Sequence, residues 1–147
     1  MVSLGGFSEK PALEVGGPSP LPAHEGHQPL VRFTVDPKRR LVIARFGERL
    51  TIADIQTYVQ NLCTHPGFHP SFSEIADISD VKELPLEAPD FLTLADRTDP
   101  FSLESRRAFV AQTATQKHAA RMHKILRHQR NFEIFQTLEE AEEWITI

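Results

Sequence analysis

From residue 30 onward, apolar and polar side chains alternate in a way that predicts a β-hairpin. Every second residue over 31–35 (VRFTV) is apolar, which is the period of a strand with one buried face. Residues 36–40 (DPKRR) supply the aspartate and proline that are typical of a turn. A second strand is predicted over 41–46, and Gly47 ends it.

The apolar period then lengthens to three or four residues, as it does in helices. Thr51 is placed as a helix N-cap with Asp54 near the positive helix end, and this helix should end before Pro66. The later pattern predicts a strand over 75–79, a helix over 87–97, a strand over 107–111, a helix over 115–130, a strand over 132–135 and a last helix opened by a capping box of Thr137 and Glu140. The apolar side of the helix over 115–130 is expected to hold Ala119, Met122, Ile125, Leu126 and Gln129.

The predicted order of elements is ββαβαβαβα, which gives an α/β fold with a mixed sheet of five strands and four helices. The first two strands form the hairpin and are antiparallel. Strands three to five each follow a helix, so we expect them to be parallel and joined by right-handed crossovers.

The amino-acid composition changes sharply near residue 30. The first 29 residues hold five of the seven glycines and five of the eleven prolines. Such a segment buries too little apolar surface to offset the entropy lost on ordering it. We therefore expect a flexible N-terminal tail over 1–29 and a single domain over 30–147.

Charge and cysteine content narrow the functional classes. Sixteen lysines and arginines stand against 20 acidic residues, and the net charge of −4 gives no overall attraction to nucleic acid. No apolar run is long enough to span a membrane, so we expect no membrane insertion. The single cysteine excludes a disulfide within the chain and, without a secretory signal after Met1, favours a cytoplasmic protein.

Several strings stand in a recognisable order. They are DPKRRLV (36–42), Gly47, TIAD (51–54), IADISDV (75–81), ARM (120–122) and FQTLEEAEEWI (135–145). Together they resemble bacterial domains related to STAS, the anti-sigma-factor antagonists of the SpoIIAA-like fold. The resemblance covers about residues 30–147, and it implies a SpoIIAA-like sheet and a regulatory role through protein binding.

One departure from that family bears on regulation. In antagonists of this type, the third strand leads to a turn that carries a phosphorylated serine. The matching position here is 85–88 (PLEA), and no hydroxyl lies between Lys82 and Leu92. We expect no phosphoryl switch at this place. Glu87 is either a permanent negative charge at the helix start or an ordinary first-turn glutamate.

Cys63, His65 and His69 form the most ligand-like cluster in the sequence. A zinc site needs three or four such ligands, but prolines follow both histidines and no partner pair occurs elsewhere. We expect no metal and no cofactor. Cys63 is instead predicted to be buried on the apolar side of the first helix, with the two histidines in a loop.

The helix over 115–130 is basic in an acidic protein. This face is either solvated or ion-paired, or it binds a protein partner through Lys117, Arg121 and Lys124, or it binds a polyanion such as nucleic acid or an anionic lipid. No aromatic residue interleaves with the charges, which argues against nucleic-acid binding. The three histidines of this helix are five residues apart, so they do not converge on a metal.

A second candidate surface lies at the carboxyl ends of the parallel strands, where open α/β sheets bind ligands. Ser79, Asp80, Thr113 and Thr115 are expected at these ends, beside helix N-termini. The alternative is that these side chains cap the helices.

No phosphate loop, nucleophile elbow or His-Glu-x-x-His motif is present, and after residue 29 only Gly47 and Gly67 remain as glycines. The sequence therefore favours a non-enzymatic regulatory or protein-interaction module without a phosphorylatable serine. The alternative is a small-ligand or lipid carrier of SEC14-like character. That alternative requires an apolar cavity, for which the sequence shows no surplus of apolar residues.

Overall fold

The computed structural model describes residues 31–146, and the tail predicted over 1–29 lies outside them. The strands are β1 (Val31–Asp36), β2 (Leu41–Phe46), β3 (Ser73–Asp77), β4 (Arg107–Val110) and β5 (Phe132–Phe135). The helices are α1 (Ile52–Cys63), α2 (Ala88–Thr93), α3 (Ala114–Arg127) and α4 (Leu138–Ile145), and a single π-helical turn (Leu94–Thr98) continues α2. None of these helices is both long enough and apolar enough to cross a bilayer.

The five strands form one mixed sheet in the order β1-β2-β3-β4-β5. β1 and β2 are the predicted antiparallel hairpin, with Val31 opposite Phe46. β3, β4 and β5 extend the sheet in parallel with β2. The predicted α/β class, the mixed sheet and the element order are confirmed.

The two faces of the sheet carry different cores. α1, α2 and α3 lie in the three crossovers, and because the strand order advances in one direction, right-handed crossovers place them on the same face. This larger core holds Val42, Ala44, Phe46, Tyr58, Leu62, Ala76 and Ile78 among others. α4 packs on the opposite face against Leu41, Ile75, Ala108 and Val110.

The predicted boundaries of the third strand and of α3 need correction. The third strand runs over Ser73–Asp77 rather than 75–79, because the backbone N–H of Ser79 donates to the Asp77 carboxylate instead of to a neighbouring strand. α3 ends at Arg127 rather than at residue 130, because His128 takes a left-handed conformation with φ 58°.

The buried side of α3 also differs from the predicted one. Ile125 is 64% exposed, whereas Gln116 and Ala120 are buried and His123 is partly buried. Gln129 is buried as predicted, but it lies beyond the helix and bonds to backbone carbonyls there. The predicted Ala119, Met122 and Leu126 are partly buried, so the apolar pattern placed this side correctly in part. It missed Gln116 and His123 because α3 packs these polar side chains inward.

The predicted helix over 87–97 is two elements. α2 ends at Thr93, and the next five residues form the π-helical turn, closed by the backbone N–H of Asp99 donating to the carbonyl of Leu94 at 3.0 Å. Pro89 lies in the first turn of α2, as predicted.

Cys63 is exposed, so its predicted burial is wrong. It is the last residue of α1, and the helix has turned it away from the sheet. His65 and His69 are exposed in the loop that follows and accept backbone hydrogen bonds from Gly67 and Ser71.

Candidate functional site

The carboxyl ends of β3 and β4 are held together by Gln116, which the sequence did not single out. Its amide nitrogen donates to the carbonyl oxygens of Ser79 (3.1 Å) and Val81 (2.8 Å). Its amide oxygen accepts the backbone N–H of Thr113, whose hydroxyl caps α3. The Ser79 hydroxyl donates to Asp77 at 2.6 Å. The polar groups of Ser79 and Thr113 therefore serve local structure.

The other candidate residues lie on separate surfaces. Asp80 is exposed and 3.8 Å from Arg45. The remaining ones are Glu87 and Thr115, both exposed, and Lys117, Arg121 and Lys124 along α3. No hydrogen bond or ion pair joins these side chains to one another within residues 31–146.

An apolar cavity of about 100 Å³ lies between the sheet and the three helices of the larger core. Nearly all of its lining is carbon. The sheet contributes Phe46, Ala76 and Phe109, and the helices and loops contribute Ile55, Leu84, Phe91 and Ala119 among others. The carrier alternative requires an apolar cavity of this kind, although the sequence shows no surplus of apolar residues to line one.

A shallower depression of about 300 Å³ adjoins this cavity. The two share four lining residues: Leu84, Leu86, Phe91 and Ala119. The depression is also lined by Thr115 and His118. The cavity and the depression therefore meet at the 84–91 segment and Ala119.

Polar and charged residues line one end of the cavity: Tyr58, Glu74, Asp99, Arg107 and His123. Together with Arg127, which lies behind Asp99, they form a group that we call the buried charged cluster. Glu74 and Arg107 form its centre, with Arg107 Nη2 2.7 Å from Glu74 Oε1 and both residues 3% exposed. The Tyr58 hydroxyl donates to the other Glu74 oxygen at 2.7 Å. The Arg107 guanidinium also lies over the ring of Phe101, 4.5 Å from its centroid.

Asp99 connects the centre of the cluster to α3. Its Oδ2 accepts from Arg107 Nη1 at 2.9 Å and lies 2.7 Å from His123 Nε2. Its Oδ1 accepts the backbone N–H of Phe101 at 2.9 Å. Arg127 closes the cluster by donating to the carbonyls of Ala95 and Phe101.

Asp99 and Arg107 stabilise each other in their charged forms. Burial alone would raise the pKa of Asp99, but the positive charge of Arg107 and the hydrogen bond from His123 outweigh it and hold that pKa well below its usual range. Burial alone would lower the pKa of Arg107, but the negative charges of Asp99 and Glu74 outweigh burial and raise that pKa above its usual value. Burial and the nearby Glu74 carboxylate raise the pKa of Tyr58 well above 10.0.

Local structure explains why these side chains meet. Glu74 and Arg107 are register partners on the neighbouring strands β3 and β4, so their side chains point to the same face of the sheet. Asp99 directly follows the π-helical turn, which sets its direction. His123 lies one turn after Ala119 on α3, and both line the cavity.

The comparisons with known proteins bear on the fold. No family model matches the chain, and no curated protein matches it. Among solved structures, it is similar to an uncharacterised protein of the DUF3478 family from Shewanella loihica PV-4, described as having a SpoIIAA-like fold. The TM-score is 0.54 at 20% identity, covering 78% of this chain and 93% of that one. This chain has a SpoIIAA-like fold.

The fold predicted from the STAS-like strings is thereby confirmed, while a likeness at 20% identity carries no activity. In this SpoIIAA-like domain, α2 begins after Glu87, which is exposed, and its backbone N–H donates to Asp90 Oδ2 at 2.9 Å. The helix start therefore presents an exposed carboxylate at Glu87.

Sequence reasoning missed the buried charged cluster of this SpoIIAA-like domain for a definable reason. It looked for a site at the carboxyl ends of the strands, whereas Glu74 and Arg107 lie at the amino ends of β3 and β4. The available signal was a charged residue at the start of each of two short apolar strands, SEIAD and RAFV. Lone charges there are costly to bury unless they pair.

The cluster has no metal-binding set. Within residues 31–146, no three histidine, cysteine or acidic side chains converge on a point that could hold an ion. What the cluster offers chemically is hydrogen bonding at the end of an apolar cavity.

Proposed function

We propose that this protein is a non-enzymatic binding module whose cavity takes a small, largely apolar molecule. The observation that carries the proposal is the apolar cavity that ends on the buried charged cluster. An engineered apolar cavity of about 150 Å³ stays dry and binds benzene. This cavity of about 100 Å³, together with the depression that adjoins it, suits a ligand of about one ring. This is the carrier alternative of the sequence analysis.

The absence of catalysis is part of the same proposal. Each charged group at the cavity is paired within the cluster: Glu74 with Tyr58 and Arg107, and Asp99 with Arg107 and His123. Paired groups of this kind orient a bound molecule, whereas a nucleophile needs a free oxygen or sulfur beside a base. The lone cysteine, Cys63, is exposed at the end of α1 and does not line the cavity.

Calorimetric titration with toluene tests this function. Ala119 lines the cavity, so Ala119→Leu fills part of it and should weaken toluene binding at least tenfold. Ala53→Leu is the matched control, because Ala53 is exposed on α1 and should leave binding unchanged. Toluene that fails to bind the unaltered protein, or that binds Ala119→Leu equally well, contradicts the proposal.

A protein partner remains the second candidate, in line with the regulatory role that the STAS resemblance implies. The observations that favour it are the exposed basic residues Arg121 and Lys124 of α3 and the 54% exposure of Leu92 on α2. With no hydroxyl over 82–92, such binding would run without phosphorylation there. A cytoplasmic setting fits both candidates.

Charge reversal tests the partner candidate. Protein captured by the unaltered chain should be lost with the triple variant Lys117→Glu, Arg121→Glu, Lys124→Glu. A second triple variant at the exposed Arg32, Lys38 and Arg97, each to Glu, controls for net charge. Equal capture by the triple variant removes this surface from consideration.

A further inference from the structure

His123 is placed to contact any molecule that fills the cavity. It lies on α3, lines the cavity, and its side chain is 14% exposed. Its ring is tilted against Phe109, 6.2 Å between centroids, which fixes its orientation. Its Nε2 lies 2.7 Å from Asp99 Oδ2, and Nδ1 takes part in no hydrogen bond among the described residues.

The Asp99 contact decides which ring nitrogen of His123 carries the proton. Asp99 accepts from Arg107 and from the backbone N–H of Phe101, so its carboxylate is ionised and has no proton to give. Its pKa, held well below the usual range, agrees with this. Nε2 must then donate, and in the neutral imidazole Nδ1 is left with a lone pair that accepts hydrogen bonds.

The groups of the cluster that line the cavity have little left to donate to a negatively charged ligand. Arg127 Nε is a buried donor without a hydrogen-bond partner among the described residues, but it lies 3.8 Å from Asp99 Oδ2 and Arg127 is not part of the cavity lining. Each guanidinium nitrogen of Arg107 already bonds to Glu74, Asp99 or Gln129. The Tyr58 hydroxyl proton is given to Glu74. Thr98 also lines the cavity, but a hydroxyl can accept or donate, so it does not discriminate.

The net charge of the cluster also disfavours a negatively charged ligand. Glu74 and Asp99 are balanced by Arg107 and Arg127, so the cluster with a neutral histidine has no net charge. A ligand carboxylate would add a third buried negative charge near Asp99. Burying a charge without a partner is expensive.

We infer that His123 makes the cavity select an apolar ligand that carries one hydrogen-bond donor, a phenol or small alcohol, over a carboxylate of the same size. This inference rests on the proposed function and names its ligand class. Asp99 acts as a positioning residue, since it holds the ring with Nδ1 free.

A ligand series tests the selection, with phenol, toluene and benzoate as probes at about pH 8, where phenol is neutral and benzoate is ionised. The quantity measured is the ratio of the phenol affinity to the toluene affinity. Comparing this ratio between variants cancels the free energy of hydration of the two free ligands. His123→Phe keeps an aromatic ring but removes the acceptor, and the ratio should fall about fivefold or more. His69→Phe, in the exposed loop after α1 and away from the lining of the cavity and the depression, should leave it unchanged.

A second measurement needs no variant. In the protein with ¹⁵N-labelled histidine, phenol should shift the Nδ1 resonance of His123, since that nitrogen would accept a new hydrogen bond. Toluene should leave the resonance nearly in place. This experiment decides the matter if His123→Phe does not fold.

The outcomes separate the two proposals. If toluene and phenol both bind but the Nδ1 resonance stays fixed and the ratio is unchanged in His123→Phe, the selection is wrong and the cavity function stands. Benzoate binding as tightly as phenol also overturns the selection. If toluene does not bind at all, the cavity function itself has failed.

Discussion

At the residue scale, the molecule is defined by charges that are buried because they are paired. Glu74 and Arg107 occupy facing positions on adjacent strands, and each would be costly to bury alone. Removing Arg107 leaves two carboxylates, Glu74 and Asp99, without their main partner. We expect Arg107→Met to lower the free energy of unfolding by about 3–5 kcal/mol, measured by urea denaturation.

Arg121→Met is the control for that substitution. Arg121 is exposed on α3, and a surface change of this kind should alter stability by less than about 0.5 kcal/mol. If Arg107→Met and Arg121→Met lowered the free energy of unfolding by the same amount, the buried ion pairs of Arg107 would contribute no more to stability than an exposed charge does.

Asp99 gives the protein a defined response to acid. Its pKa is lower in the folded protein than the value of about 3.9 expected in an unfolded chain. Its contribution to stability is therefore complete above about pH 4 and is lost as the pH falls further toward the folded pKa. In urea denaturation at a series of pH values, the free energy of unfolding should fall less steeply below about pH 4 in Asp99→Asn than in the unaltered protein.

The exposed Asp96 provides the comparison for that acid response. Asp96→Asn should keep the pH dependence of the unaltered protein, because Asp96 is 71% exposed and has only a 3.9 Å contact with Arg97. The same pH dependence in Asp99→Asn and the unaltered protein would contradict the assignment to Asp99.

At the element scale, helix starts were predictable and one helix end was not. Thr51 caps α1 and Thr137 forms a capping box with Glu140, as the sequence indicated, because Thr–x–x–Asp and Thr–x–x–Glu patterns act locally. α3 ends at Arg127 because His128 takes a left-handed conformation, which glycine favours and the sequence does not signal. The buried side of α3 was predicted only in part, because His123 and Arg127 bury through contacts distant in sequence.

Substitution of His128 measures the strain at this helix end. A residue with a Cβ pays roughly 1 kcal/mol or more in the left-handed region, and glycine does not. His128→Gly should therefore raise the free energy of unfolding by about 0.5–1 kcal/mol. His118→Gly, inside the same helix, should lower it by a similar amount, and a loss in both variants would argue against strain at His128.

At the scale of the whole molecule, the fold could be predicted and the cavity could not. Alternating strands and helices after a hairpin leave few topologies, because crossovers are right-handed and short. A cavity is space that helices leave between them, and its existence depends on how closely α1, α2 and α3 approach the sheet. No residue pattern within one element reports that distance, so the cavity could not be predicted from the sequence.

The two faces of the sheet provide the most direct test of the central claim. Methyl groups of Ala76, Ala119 and Ala120 line the cavity, while those of Ala108 and Ala141 lie in the core under α4. In a methyl NMR titration with toluene, the first three resonances should shift in a saturable manner and the other two should stay in place. Shifts under α4, or none in the cavity, would contradict the account.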